Sequence, residues 1–102
     1  MYRVLLVEDE EIELETLRDY IDWEKNGISR VFTARNGRRA LECLEENMAD
    51  IVITDIQMPG MSGIELAETI VSRGYPCFWG TYGNVRLWNS GGLWKNRGKI
   101  LQ

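Results

Sequence analysis

The stretch Ile51-Val52-Ile53-Thr54-Asp55-Ile56-Gln57-Met58-Pro59-Gly60-Met61-Ser62-Gly63 decides the fold. Its first four residues are β-branched and mostly apolar, which predicts a short strand buried on both faces. The strand ends at Asp55, and Met58-Pro59-Gly60 then predicts a loop. Ser62, followed three residues later by Glu65, matches a capping box and predicts the start of a helix. The stretch therefore predicts a strand with an acidic end, then a loop, then a helix.

The same alternation extends toward the N-terminus. Residues 3–7 and 28–34 are short apolar runs that predict two further strands, and Asn36 is the expected N-cap of the second helix. In the first helix, the apolar stripe expected to face the core consists of Ile12, Thr16, Leu17, Tyr20 and Ile21. Three strands alternating with three helices predict an α/β fold with a parallel sheet and right-handed crossovers.

Two of the predicted strands end in acidic residues. Glu8 and Asp9 follow the first strand, and Asp55 ends the third. Ligand sites in parallel sheets lie beyond the carboxyl ends of the strands, so neighbouring first and third strands would bring three carboxylates together. Such oxygen ligands favour Mg²⁺, Mn²⁺ or Ca²⁺, and a carboxylate on the metal can attack phosphorus. Acids in a first helical turn and a loop cap explain the same residues without any site, and spacing alone leaves both interpretations open.

Composition excludes several classes of protein. The 102 residues are 44% hydrophobic and 27% charged, which is typical of one globular domain, and histidine is absent. No apolar run approaches the roughly 20 residues of a membrane span, and the N-terminus does not resemble a secretory signal. We therefore expect a cytoplasmic protein without a membrane partner. Cys43 and Cys77 lack the spacing of a zinc site or a disulfide framework.

Charge divides the chain in two. Residues 1–75 carry all 16 acids, whereas residues 76–102 carry four bases, no acid and three of the four tryptophans. We therefore treat 1–75 and 76–102 as separate segments. The second segment is interpreted either as the product of a shifted reading frame or as a divergent ending that replaces the last strands and helices. The nucleotide sequence would distinguish the two origins.

Two motifs identify a family. Val7-Glu8-Asp9-Glu10, together with the pattern DIxMPxMxG over residues 55–63, closely resembles the receiver domain of bacterial two-component response regulators. Residues 21–28 and 34–37 resemble the subgroup in which an AraC-type DNA-binding domain follows the receiver. The resemblance covers about residues 2–75. It implies a flavodoxin-like (CheY-like) doubly wound parallel sheet with strand order 2-1-3, followed in the family by a fourth and a fifth strand.

The resemblance also implies the roles of individual residues. Asp55 would be the phosphoacceptor. Asp9, Asp55 and the backbone carbonyl of Gln57 would bind Mg²⁺, and Glu8, which is commonly aspartate in the family, would act through water. The residues expected to shape the loop after the strand are Pro59 and Gly63.

The second segment departs from the family pattern. In the family, a fourth strand ends in serine or threonine and a fifth strand ends in Lys-Pro. The hydroxyl of the first and the lysine of the second bind the phosphoryl group. Residues 77–80 make a poor fourth strand. Thr81 is the candidate for the hydroxyl residue, but it lies a few residues closer to the N-terminus than the family pattern places it. Lys-Pro is absent, so Lys95 or Lys99 would have to take the lysine's role, although neither ends an apolar strand. Residues 85–89 and 93–95 could instead form a hairpin covering the third strand, or four bases among tryptophans could bind nucleic acid.

The implied function is signalling. A sensor histidine kinase would transfer a phosphoryl group to Asp55, and the phosphorylated protein would control transcription through a DNA-binding effector domain absent here. A second copy of the chain, in a homodimer, is a further expected partner. The chain would not be an enzyme beyond slow self-phosphorylation and dephosphorylation. The alternative is a truncated or degenerate receiver that does not switch and serves at most as a protein-interaction module. A phosphatase is disfavoured, because Gln57 stands where its general acid would be.

Overall fold

The computed structural model describes residues 2–82, 88–89 and 92–93. Strands and helices alternate through the first 72 residues, as predicted. The strands are β1 Tyr2–Val7, β2 Ile28–Ala34, β3 Ile51–Asp55, β4 Phe78–Tyr82, β5 Trp88–Asn89 and β6 Gly92–Leu93. The helices are α1 Glu11–Tyr20, α2 Gly37–Glu46 and α3 Gly63–Ser72.

The strands form a single sheet in the order β2-β1-β3-β4-β5-β6. β1 pairs in parallel with both β2 and β3, which confirms the α/β class and the order 2-1-3. The helices after β1 and β3 lie on opposite faces of the sheet: α1 packs on the face formed by Val4 and Leu6, and α3 packs on the face formed by Leu5 and Val7. Within the described residues, no helix is long and apolar enough to cross a membrane.

A fourth strand forms where the sequence predicts only a poor one. β4 pairs in parallel with β3 from Ile51 opposite Phe78 to Asp55 opposite Tyr82. Four of the five residues of β4 are of types enriched in strands, and Trp79 packs against the core between the sheet and α3. The expectation of a weak strand was therefore wrong, because only Gly80 in β4 disfavours a strand and Trp79 adds packing against the core.

Only part of the predicted hairpin lies within the described residues, and that part adjoins β4 rather than β3; residues 85–87, 94 and 95 of the prediction lie outside them. β5 and β6 are antiparallel, with Trp88 opposite Leu93 and Asn89 opposite Gly92, and β5 pairs with β4. The sequence predicted that the hairpin would cover the edge of β3, but β4 already occupies that edge.

Helix α1 presents a different face to the core from the one expected. Leu14 is 6% exposed and Leu17 and Ile21 pack inward, whereas Ile12 is 77% and Tyr20 is 82% exposed. The predicted stripe is therefore confirmed for Leu17 and Ile21, but it was wrong for its exposed members Ile12, Thr16 and Tyr20. Leu14, which the predicted stripe omitted, is the residue that anchors the helix.

The predicted caps are confirmed for the other two helices. The Asn36 side chain accepts a hydrogen bond from the Arg39 backbone N–H at 2.8 Å. Ser62 and Glu65 form the reciprocal capping box at the start of α3. Each cap satisfies backbone donors that the first helical turn leaves without partners.

The two cysteines are free and partly buried. Burial raises the pKa of the Cys43 thiol, and the negative charge of Glu46 raises it further. Burial likewise raises the pKa of the Cys77 thiol, with a smaller contribution from Asp50. Both thiols therefore stay protonated at neutral pH and behave as small apolar side chains.

Candidate functional site

The carboxyl ends of β1 and β3 lie side by side. Val7 pairs with Thr54 in the last step of their register, so Glu8 and Asp55 leave the sheet at the same level. Oxygen atoms of Glu8, Asp9 and Asp55 lie within 4.8 Å of one another. The convergence of three carboxylates predicted from strand order is confirmed in the structure.

Glu8 is fully buried, which is unusual for a carboxylate. Its Oε2 atom accepts a hydrogen bond from the Glu10 backbone N–H at 3.0 Å. Its own backbone N–H donates to the Ala34 carbonyl at the end of β2, also at 3.0 Å. These bonds fix the turn between β1 and α1, which carries Asp9 into the site.

Asp55 is held from behind by the start of α3. A Cβ atom on Gly63 would lie 2.1 Å from the Asp55 carbonyl oxygen, so the two backbones touch and only glycine fits. The Gly63 N–H donates to the Ile56 carbonyl at 2.8 Å. The Thr54 hydroxyl donates to the Asp55 carbonyl at 3.0 Å. The backbone beneath the carboxylate is therefore rigidly placed, while the side chain is partly exposed to incoming ligands.

The loop between β3 and α3 reverses direction close to Asp55. Met58 is buried beneath it, and Pro59 and Gly60 lie exposed at its tip. Gly60 has a φ of 79°, which a residue with a side chain adopts only with strain. Gln57 lies in this loop with an exposed side chain, and the role of its carbonyl as a metal ligand stays a prediction.

Arg35 also belongs to this edge of the sheet, and sequence reasoning missed it. It directly follows β2, and its Nε and Nη2 atoms donate to the Asp9 carbonyl at 3.1 and 2.9 Å. Its Nη1 atom lies 3.9 Å from Glu11 Oε1. The signal was present in the sequence, since β2 ends at the same edge as β1 and β3.

Of the residues expected to bind the phosphoryl group, only Thr81 lies within the described residues. The Thr81 backbone lies in β4 opposite Thr54, one step before the pair formed by Asp55 and Tyr82. Lys95 and Lys99 lie outside the described residues. Their proposed roles stay predictions.

The three carboxylates suit a hard cation. They supply only oxygen donors, and like charges this close repel unless a cation neutralises them. The donor set matches Mg²⁺, which typically takes one or two protein carboxylates and completes its shell with water and phosphate oxygens. The residues present therefore fit the metal expected from the sequence.

Comparison with known proteins agrees with this geometry. The response regulator receiver domain family matches residues 4–79. The transcriptional regulatory protein YesN of Bacillus subtilis is 43% identical over 70 residues, which are 69% of this chain and 19% of that protein. The transcriptional regulatory protein HptR of Staphylococcus aureus is 34% identical over 70 residues, again 69% of this chain and 28% of that protein. The chain thus spans less than a third of either relative.

Solved structures show the same fold. A two-component transcriptional regulator AraC from Clostridium phytofermentans has a TM-score of 0.76 and 28% identity, covering 81% of this chain and 64% of that one. The receiver domain of AraT, a response regulator from Geobacillus stearothermophilus, has a TM-score of 0.72 and 29% identity, covering 80% and 64%. The sequence match, the flavodoxin-like sheet and the acidic edge agree, and the chain belongs to the response regulator receiver domain family.

Proposed function

We propose that this chain is the phosphoacceptor module of a transcriptional two-component response regulator. Asp55 accepts a phosphoryl group from a sensor histidine kinase, with Mg²⁺ held by Asp9, Asp55 and the Gln57 carbonyl, and with Glu8 acting through water. The observation that carries the proposal is the approach of three carboxylates within 4.8 Å at the ends of adjacent parallel strands.

The transfer requires an exposed nucleophile on a fixed backbone. A carboxylate oxygen of Asp55 attacks the phosphorus of a phosphohistidine, an O–P bond forms and the N–P bond breaks. The imidazole nitrogen leaves with the bonding electron pair and takes a proton from solvent. When bound, Mg²⁺ shields the charge that gathers on the phosphoryl oxygens. Asp9 and Glu8 supply the negative field that holds the cation beside Asp55.

The output of the module lies outside the described residues. Relatives such as YesN and HptR are transcriptional regulatory proteins several times longer than the matched segment. We infer that phosphorylation acts on DNA through an effector domain of the whole regulator, and that a homodimer is one form the module adopts.

The amide NMR spectrum tests the proposal directly. Wild-type protein is recorded alone, with Mg²⁺, and with Mg²⁺ plus beryllium fluoride, which mimics an aspartyl phosphoryl group. We expect resonances near Asp55 to shift with the mimic in wild type and in Asp19→Asn, a matched change on the exposed face of α1. Asp55→Asn should lose the response, since it removes one carboxylate and the nucleophile. A response that persists in Asp55→Asn would contradict the proposal.

The second candidate is a receiver-derived module that binds a cation but does not switch. It is favoured by the antiparallel pairing of β5 with β4, because a parallel fifth strand is what brings the family's lysine to the site. Shifts on adding Mg²⁺ but none on adding the mimic would select this candidate over the phosphoacceptor.

A further inference from the structure

We infer that Arg35 is a positioning residue for the metal-binding turn, acting on the cation through the Asp9 backbone. The inference rests on the proposed function, because it concerns Mg²⁺ at the same three carboxylates. Arg35 touches none of these carboxylates in its described hydrogen bonds, and both of its hydrogen bonds go to the Asp9 carbonyl.

Among the contacts that the structure describes, two hydrogen-bonding groups at the end of β2 and one within the turn itself hold the turn that carries Asp9. The Ala34 carbonyl accepts the Glu8 N–H at 3.0 Å, and the next residue, Arg35, donates to the Asp9 carbonyl. A hydrogen bond within the turn runs from the Glu10 N–H to the Glu8 carboxylate. The end of β2 thus forms hydrogen bonds to the turn on both sides of the Glu8–Asp9 peptide. These bonds restrain the direction in which the Asp9 side chain leaves the backbone.

The planar guanidinium is suited to this task. Two of its N–H groups, from Nε and Nη2, converge on one carbonyl oxygen at 3.1 and 2.9 Å. A fork with two donors restrains orientation as well as distance, which a single ammonium group does not. The remaining contact is a long one, 3.9 Å to Glu11, and joins side chains that are 51% and 70% exposed, so it contributes little. The two hydrogen bonds to the Asp9 carbonyl are also exposed to solvent, but they are shorter and they are the contacts that reach the metal-binding turn.

A purely electrostatic role predicts the opposite sign. A fixed positive charge beside the acidic cluster repels a divalent cation, so removing the charge alone would strengthen Mg²⁺ binding. Loss of positioning weakens binding instead, because Asp9 no longer presents its carboxylate in the direction the cation needs. The sign of the change in Mg²⁺ affinity therefore separates the two roles.

The test is an Mg²⁺ titration followed by amide NMR on wild type, Arg35→Met, Arg35→Lys and Arg73→Met. Arg73 is a matched control, because its exposed side chain pairs with Glu45, away from the acidic cluster. We expect Arg35→Met to weaken Mg²⁺ binding about tenfold, the lower end of what outer-sphere partners of a metal site usually contribute. Arg35→Lys should fall between wild type and Arg35→Met, and Arg73→Met should match wild type.

A readout without metal supports the same distinction. Hydrogen exchange at the Glu10 amide reports on the hydrogen bond within the turn, and it should quicken in Arg35→Met while exchange in α3 stays unchanged. Mg²⁺ affinity in Arg35→Met that equals or exceeds that of wild type overturns the inference. If Arg35→Met fails to fold, Arg35→Lys decides, and an affinity equal to that of wild type has the same meaning.

The two proposals fail in different ways. Wild-type protein that binds no Mg²⁺ contradicts the proposed function, and the role of Arg35 falls with it. Wild-type protein whose binding is weakened by Asp9→Asn but unaffected at Arg35 overturns the positioning role alone.

Discussion

The contact between Gly63 and Asp55 shows how one missing side chain shapes the site. The first residue of α3 lies directly against the backbone of the last residue of β3, at a distance that leaves no room for a Cβ atom. This closeness holds the helix start against the end of the strand, where the Asp55 side chain is partly exposed. The sequence motif marks Gly63, and the structure supplies the physical reason for a glycine there.

Replacing Gly63 with alanine should damage both stability and the site. The new methyl group meets a backbone oxygen, which cannot rotate away as a side chain could, so the strand end or the helix start must move. We expect a loss of about 3 kcal/mol in the free energy of unfolding, the upper end for overpacked positions, measured by urea denaturation. Gly60→Ala is the control: its Cβ meets nothing within 4 Å, and only its φ of 79° opposes the change. It should lose about 1 kcal/mol. Equal losses at both positions would contradict the steric argument.

The positions of the acidic residues and of Arg35 were equally predictable, but the contact that Arg35 makes was not, for a physical reason. Glu8, Asp9 and Asp55 follow from strand order alone, because parallel strands end at one edge and carry whatever residues stand there. Arg35 follows β2 by the same rule. Its action depends on a backbone carbonyl, however, and no residue type in the sequence marks a carbonyl as an acceptor.

At the scale of elements, α1 shows the limit of helical periodicity. Ile12 and Leu14 are both apolar and stand two residues apart, so they lie on different faces of the helix and only one of them can face the sheet. The predicted stripe followed Ile12, whereas the sheet packs against Leu14. With only ten residues and many acids, α1 offers too few apolar positions for spacing to choose the face. For helices α2 and α3 the start of each helix was predicted correctly, because the cap residues Asn36 and Ser62 fix it.

Alanine substitutions on α1 test which face is buried. Leu14→Ala removes a side chain that packs with Val4 and Leu6, so we expect a loss of about 2–3 kcal/mol in the free energy of unfolding. Ile12→Ala removes a side chain that is 77% exposed and should change stability by less than about 0.5 kcal/mol. Chemical denaturation of the two variants beside wild type measures both. A larger loss for Ile12→Ala would return the helix to the orientation expected from its sequence pattern.

At the scale of the whole molecule, the sheet contains strands from both the acidic segment 1–75 and the basic segment 76–102. Residues 76–102 differ sharply in composition from residues 1–75, yet β4 from the second segment pairs along the full length of β3. Composition describes side chains, whereas parallel pairing uses the backbone, which is alike in every strand. Sequence reasoning therefore located the break in composition at residue 75 and underestimated the strand just beyond it. The division into two segments stays a prediction about how the chain behaves when cut.

Truncation tests how far the receiver depends on the second segment. A chain ending at Tyr75 lacks both β4 and Trp79. The strand β3 therefore becomes an open edge, and α3 loses the side chain that packs beside it. Open apolar edges pair with other chains, and we expect this fragment to self-associate and to unfold without a cooperative transition. A chain ending at Leu93 keeps every described strand and is the matched control. Size-exclusion chromatography and circular dichroism during heating compare the two. If the shorter chain stays monomeric and melts as sharply as the longer one, residues 1–75 form a self-sufficient unit and β4 is an addition to it. If only the longer chain does so, β4 is integral to the strand that carries Asp55.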